Sequence, residues 1–193
     1  SHDWSVSLWD TTQPMAPMHV FEGHESAAQA VAFSPRSSFV ASGAADKTVR
    51  LWNTASLSHV RTYRGHKDFV TAVAFAPDGK ILASAALDGT VRLWSSASSR
   101  HMRTLNAHKG RISGLAFSPT GELLATGGDD GAGRIWDFKR GRSLRTYGGG
   151  GPGIRALAFS ADGTRLAVAS DEGSIRIWSA SVPLGRRGSS EDE

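Results

Sequence analysis

The stretch GHKDFVTAVAFAPDGKILASAALDGTVRLW, residues 65–94, decides the architecture. It holds three short apolar or β-branched runs, AVAF (72–75), ILAS (81–84) and TVRLW (90–94), split by turns at APDG (76–79) and LDG (87–89). A fourth run, MRTL (102–105), follows. Runs of four or five residues joined by Asp-Gly turns are too short for helices and read as antiparallel strands of a meander. Clean alternation of apolar and polar residues is missing, as expected when both faces of a sheet are covered by other sheets.

Outward from this stretch, the same unit recurs. Trp9, Trp52, Trp94, Trp136 and Trp178 are spaced by 43, 42, 42 and 42 residues. Phe33, Phe75, Phe117 and Phe159 keep the same beat. So does an acid six residues before each tryptophan: Asp3, Asp46, Asp88, Asp130 and Glu172. Gly23-His24, Gly65-His66 and Ala107-His108 keep it again. One supersecondary unit has been copied along the chain. Four strands per unit, with small residues near the inner strands, suit a radial array of sheets, an all-β propeller.

These motifs resemble the WD40 repeat over about residues 1–179. The resemblance implies a β-propeller of about four complete four-stranded blades and one partial blade, with repeats at about 18–52, 60–94, 102–136 and 144–178. Residues 1–10 are then the last strand of a truncated blade, and 180–193 a disordered tail. Because such rings close with about six to eight blades, the expectation is a fragment of a larger, seven-bladed ring; oligomerisation into a ring is the alternative. The family also implies a buried His–Ser/Thr–Asp–Trp relay in each blade. The matching positions are His24, Ser42, Asp46 and Trp52; His66, Ser84, Asp88 and Trp94; and His108, Thr126, Asp130 and Trp136. The His-to-Asp spacing is 22 in all three. A buried indole N–H and imidazole need partners, which a connected polar chain supplies. In the last unit Gly150, Val168 and Glu172 stand at the relay positions and only Trp178 remains, so this blade is expected to fold with a looser entry loop at GGGGPG (148–153).

Composition narrows the functional classes. The 193 residues are 39% hydrophobic, evenly spread, so no segment reads as a membrane span. Cysteine is absent, which excludes thiol chemistry and fits an intracellular, reducing setting. The net charge is +4, but Glu191, Asp192 and Glu193 hold three of the 18 acids, leaving 22 basic against 15 acidic side chains in the body. Arg50, Arg92, Arg134 and Arg176 precede each tryptophan by two, and Arg61, Arg103 and Arg145 fall on the outer strand. An arginine ring can meet phosphate, yet no aromatic interleaving supports nucleic-acid contact, and cations on edge strands protect against stray pairing. In the tail, Ser189 and Ser190 sit in the kinase-like pattern RRGSSEDE, which is common by chance and reads first as a solvated end.

Evenly spaced copies of Asp, His and Ser argue for a structural network, not an active site, which would occur once. His2, His19, His59 and His101 read as scattered, without metal-ligand spacing, and GGGGPG lacks the Gly-Lys-Ser/Thr of a phosphate loop. No enzyme, cofactor, metal or small-molecule signal emerges. What remains is surface. In this family exposed loops precede the first strand and the turn acid, at Glu25, Lys67, Phe69, Arg111, Leu87 and Asp129 here. Phe69 and Leu87 are apolar where exposure is expected and form the first candidate for a partner hot spot; Arg111 and Asp129 read as solvated.

Three functional classes follow. The first is a non-catalytic scaffold for protein partners in a multisubunit complex. The second is a peptide-recognition propeller, as in ubiquitin-ligase adaptors or chromatin readers. The third is a regulatory propeller of a multidomain enzyme. The landmarks 1–3, Pro17, 21–24 and 34–52 further resemble the C-terminal blades of the TFIID subunit 5 family, which implies a general transcription complex and a nuclear location; otherwise the setting is cytoplasmic.

Overall fold

The computed structural model describes residues 3–12 and 15–181. The kinase-like serines and nearly all of the expected tail lie outside that range. Among the described residues seventeen strands form five antiparallel sheets in chain order. β1 (Val6–Leu8) pairs with β2 (His19–Phe21). The next sheet is β3 (Ala28–Phe33), β4 (Phe39–Ala44), β5 (Val49–Asn53) and β6 (Ser58–Tyr63). Then come β7 (Val70–Phe75), β8 (Ile81–Ala86), β9 (Thr90–Ser95) and β10 (His101–Asn106). The fourth sheet is β11 (Ile112–Phe117), β12 (Leu124–Gly128), β13 (Ala132–Asp137) and β14 (Arg142–Gly148). The last is β15 (Ile154–Phe159), β16 (Arg165–Ser170) and β17 (Ile175–Ser179). Among the described residues no helix is long and apolar enough to cross a membrane.

The sheets are offset from the sequence repeat by one strand. A repeat such as 60–94 begins on the outer strand of one sheet and supplies three inner strands to the next. Four repeats therefore appear as three four-stranded sheets, flanked by a two-stranded sheet at the start and a three-stranded one at the end. The offset locks neighbours together, because every repeat is split between two sheets. A register shift recurs in the first hairpin of each of the last four sheets, between Ala28/Ala30, Val70/Ala72, Ile112/Gly114 and Ile154/Ala156. Such bulges sharpen the strand twist, as radial packing requires.

The core lies between sheets. Val73 and Phe75 of β7 pack with Ala41, Val49, Leu51 and Tyr63 of the preceding sheet, and Leu115 and Phe117 of β11 pack on Ala83, Val91 and Leu93. Small residues set the spacing: a Cβ built on Gly43 would lie 2.5 Å from Val70 Cγ1, and one on Gly127 2.4 Å from Ile154 Cγ2. Outer-strand side chains tie adjacent sheets. Arg61 Nη1 donates to Ser96 O at 3.2 Å and Arg145 Nη1 to Ser179 O at 3.4 Å.

Candidate functional site

Three relays run from the buried core to one rim. Trp52 Nε1 donates to Ser42 Oγ (2.8 Å), which lies 2.7 Å from His24 Nε2, and His24 Nδ1 lies 2.8 Å from Asp46 Oδ2. Trp94, Ser84, His66 and Asp88 repeat this at 2.8, 2.8 and 3.2 Å. Trp136, Thr126, His108 and Asp130 do so at 3.0, 2.8 and 2.8 Å. The donors fix the tautomer. At His24 and His66 each hydroxyl accepts from the indole and donates to Nε2, and Nδ1–H donates to the carboxylate, so a neutral imidazole with one donor and one acceptor satisfies these links. At His108 the Arg134 Nη1 donor also lies 2.6 Å from Nδ1, so that nitrogen is shared between a cation and Asp130.

Electrostatics agree. Burial is the largest influence on His24, His66 and His108 and holds each below the ordinary histidine pKa, outweighing the carboxylate that pulls it up. Burial pushes the Asp46 carboxyl up, but the bonds from Thr48, the Glu25 N–H and His24 together hold it below the usual carboxylate value; Asp88 and Asp130 shift the same way. At neutral pH each contact is thus a neutral imidazole on a carboxylate. Ser42, Ser84 and Thr126 are each 0% exposed. The Ser–His–Asp distances resemble a hydrolytic triad, but a hydroxyl sealed in the core and already accepting an indole N–H offers no route to a substrate.

The carboxylates also brace the rim. Besides its histidine, each accepts a backbone N–H from the loop that follows: Glu25 on Asp46 (3.0 Å), Lys67 on Asp88 (2.8 Å) and Lys109 on Asp130 (3.4 Å). That loop and the turn before the acid are stitched together. Leu87 N donates to Phe69 O and Asp129 N to Arg111 O, both at 2.9 Å, with matching pairs at Ala45/Ala27 and Asp171/Gly153. Lys67, Phe69, Leu87, Arg111 and Asp129 therefore lie on one rim, in two adjacent sheets. Phe69 is 43% exposed; Leu87 is half-buried, less open than expected. Arg111 and Asp129 are not simply solvated. Arg111 Nε donates to Ser113 Oγ at 3.1 Å, and Asp129 Oδ1 accepts from Arg155 Nη1 of the next sheet at 3.0 Å. Arg155 also holds Asp171, Nη2 to Oδ2 at 2.8 Å. Sequence reasoning missed Arg155, because it joins residues 26 and 16 apart on different loops.

Other expectations are corrected. His59 and His101 are not scattered: they stand 42 residues apart and pack edge-on against Trp52 and Trp94, with centroids 5.3 and 5.2 Å away. Of the repeating arginines, Arg50 and Arg92, two before each tryptophan, turn inward. Their guanidiniums sit 6.0 and 5.9 Å from the Trp52 and Trp94 ring centroids, in space left by Gly23 and Gly65, where a Cβ would fall 2.7 and 2.6 Å from Nη1. Ala107 replaces that glycine in the third relay, and there Arg134 turns to Asp130 Oδ2 at 3.0 Å. The last sheet, without a relay, leaves a cavity of about 210 Å³ lined by residues including Ile154, Val168, Ser174 and Trp178. Trp178 is half-buried there and stacks on Tyr147 at 4.5 Å. Among the described residues no group of three or more His, Cys, Asp or Glu side chains could hold a metal ion.

Asp88→Ala or His66→Ala leaves buried polar atoms unpaired, so either is expected to cost roughly 1–3 kcal/mol. Wild-type melting of both variants would disprove the relay as a stabilising element of that sheet.

Repeated four-stranded sheets with relays of this geometry define the chain as a WD40-type β-propeller. Comparison with known proteins takes the class to a family. The family model described as the IFT122 first beta-propeller matches residues 1–187, and the chain belongs to that family. Shorter segments resemble human Striatin-4, 45% identical over 56 residues, which is 29% of this chain and 7% of that protein. Protein Mut11 of Chlamydomonas reinhardtii is 50% identical over 44 residues, 23% of this chain and 12% of Mut11. The chain thus spans about an eighth or less of the length of the curated relatives it matches.

Proposed function

We propose that the chain is a non-catalytic scaffold that presents the rim around Phe69 to protein partners of a multisubunit complex. The observation that carries this reading is an aromatic ring, 43% exposed, on a loop held by backbone bonds to Leu87 and beside a residue, Lys67, pinned by Asp88. A rigid aromatic anchor loses little entropy on binding and is the usual centre of an interface hot spot. Lys67 and Asp68 precede it, and Asp68 Oδ1 accepts the Phe69 N–H at 2.8 Å, so the anchor is bordered by charges of both signs. Arg50 and Arg92 are turned inward onto indoles, away from any partner. Membership of a propeller family and the Striatin-4 and Mut11 segments support the scaffold class. They favour other assemblies over a TFIID-type transcription complex, which rests on the landmarks 1–3, Pro17, 21–24 and 34–52 alone. An intracellular location, nuclear for a TFIID-type complex and cytoplasmic otherwise, belongs to the same proposal.

The test is Phe69→Ala in the full-length tagged protein, purified from its own cells with its partners identified by mass spectrometry. Folding stability should change by no more than about 0.5 kcal/mol, while one partner set falls about tenfold, ~1.4 kcal/mol. An unchanged set rejects this rim, and unfolding moves Phe69 into the core. Recovery of TATA-binding protein with other TFIID subunits establishes the transcription version; a set without them removes it.

A further inference from the structure

The turns at the far end of the sheets from Phe69 carry a charge pattern that the repeat does not explain. β7 runs from Val70, beside Phe69, to Phe75, close to the turn that holds Asp78 and Lys80, so this end and the rim are a strand length apart. Between the sheet β3–β6 and the sheet β7–β10 lies a groove of about 400 Å³, whose lining includes Arg36, Arg61, Asp78, Lys80 and Ser96. Both walls belong to complete four-stranded sheets. Three cations share this groove with one acid. Among the described residues Arg36, Arg61 and Lys80 take part in no ion pair.

The surplus is local. One sheet on, Asp78, Arg103, Glu122 and Lys139 stand at the positions of Arg36, Arg61, Lys80 and Ala97, two acids with two cations. One sheet further, Arg145 is matched by Asp162, and Thr120 and Thr164 hold the places of Arg36 and Lys80. Of these three equivalent places the first alone is positive. Its guanidiniums are also held. Arg36 Nε donates to Pro77 O at 3.1 Å and Arg61 Nη1 to Ser96 O at 3.2 Å, each reaching from the first sheet to the second. Their other N–H groups have no partner among the described residues. The turns beneath are fixed as well: Asp78 Oδ1 accepts the Lys80 N–H at 2.9 Å, and Ser96 Oγ donates to Gly79 O at 2.7 Å. Donors held in advance lose little entropy on binding, and a concave surface of one sign concentrates its field.

We propose that this groove binds an acidic, extended segment of a protein partner, with carboxylates on Arg36, Arg61 and Lys80. The cations come from three elements, the β3–β4 turn, β6 and the β7–β8 turn, which suits successive carboxylates along a chain better than one small anion. Arginine takes such groups through paired N–H donors, and a guanidinium already fixed by a backbone carbonyl does so at lower cost. The groove is a second contact surface. It shares with the scaffold reading only the class of partner, and it uses none of the residues of the Phe69 rim.

The test is fluorescence anisotropy of a labelled peptide of about ten glutamates with the full-length protein. Two charge-matched variants accompany it: Arg36→Glu/Lys80→Glu in the groove, and Lys139→Glu/Arg142→Glu in the β13–β14 turn of the next sheet. All four side chains are exposed, so melting curves should coincide. Should the groove variant melt lower, Arg36→Gln/Lys80→Gln replaces it with the same expectation. The wild type should bind at up to about 100 µM protein, more weakly as salt rises from about 50 to 300 mM. The groove variant should bind at least about tenfold more weakly, and the β13–β14 variant within about threefold of wild type. No binding by the wild type, no loss in the groove variant, or equal loss in both variants overturns the proposal. So does tighter, groove-dependent binding of a labelled single-stranded DNA of about 20 nucleotides, which would make this a phosphate-backbone site. Phe69→Ala should leave peptide binding unchanged, which separates failure of the rim from failure of the groove.

Discussion

Trp94→Ala should cost about 3–5 kcal/mol of stability, whereas Trp9→Ala should cost less than about 1 kcal/mol, although both occupy the same place in the repeat. Trp94 is 2% exposed and Trp9 52%. The Trp94 ring packs 5.5 Å from Tyr63 and 5.2 Å from His101, and its N–H donates to Ser84 Oγ at 2.8 Å. Its removal opens a cavity between two sheets and strips one bond from a buried hydroxyl. Trp9 is half exposed, so its removal takes less packing with it. Trp178, half-buried beside a cavity, should fall between them. Denaturant unfolding with unchanged m-values measures the series. Equal losses at Trp9 and Trp94 would mean that packing between sheets does not set these energies.

The second large effect is acid sensitivity. Burial holds the three relay histidines below the ordinary histidine pKa of 6.5, so the unfolded chain binds more protons as pH falls beneath that value. Their stability contribution is complete above 6.5 and is lost progressively below it. Protonation also breaks the relay, because Nε2 gains a hydrogen where Ser42, Ser84 or Thr126 must donate one. The relay carboxylates have folded pKa values below 3.8 and add a second loss beneath that point. Both signs agree, so unfolding midpoints should fall steadily from pH 7 to 4 and further beyond. A midpoint flat between pH 7 and 4.5 would show that the imidazoles take up protons equally in the folded and unfolded states, so that folding does not depress them.

Much of the site was legible because the relay repeats: a fixed 22-residue interval from histidine to aspartate marks residues that meet in every copy. The rim was legible in part. Phe69 could be placed from its position before β7, since the loop entering a first strand opens at one end of the sheet. The state of Asp129 could not, because its partner Arg155 comes from another sheet and from no repeating pair. Nor could the inward turn of Arg50 and Arg92, which depends on Gly23 and Gly65 leaving space beside an indole across the sheet. Ala107 shows the sensitivity: one methyl group in that space accompanies a different partner for Arg134.

By itself the sequence determined the unit: four short strands, their turns, the relay and the number of copies, all of them local or separated by fixed intervals. Tertiary structure alone decided what each copy buries. AVAF occurs at 30–33 and at 72–75 in the same local setting, yet the first presents Val31 and Phe33 to solvent and the second seals Val73 and Phe75 in the core. A sheet of this kind cannot cover its own face. Its burial is supplied by the sheet before it, so identical residues differ by whether a neighbour is there to exclude water.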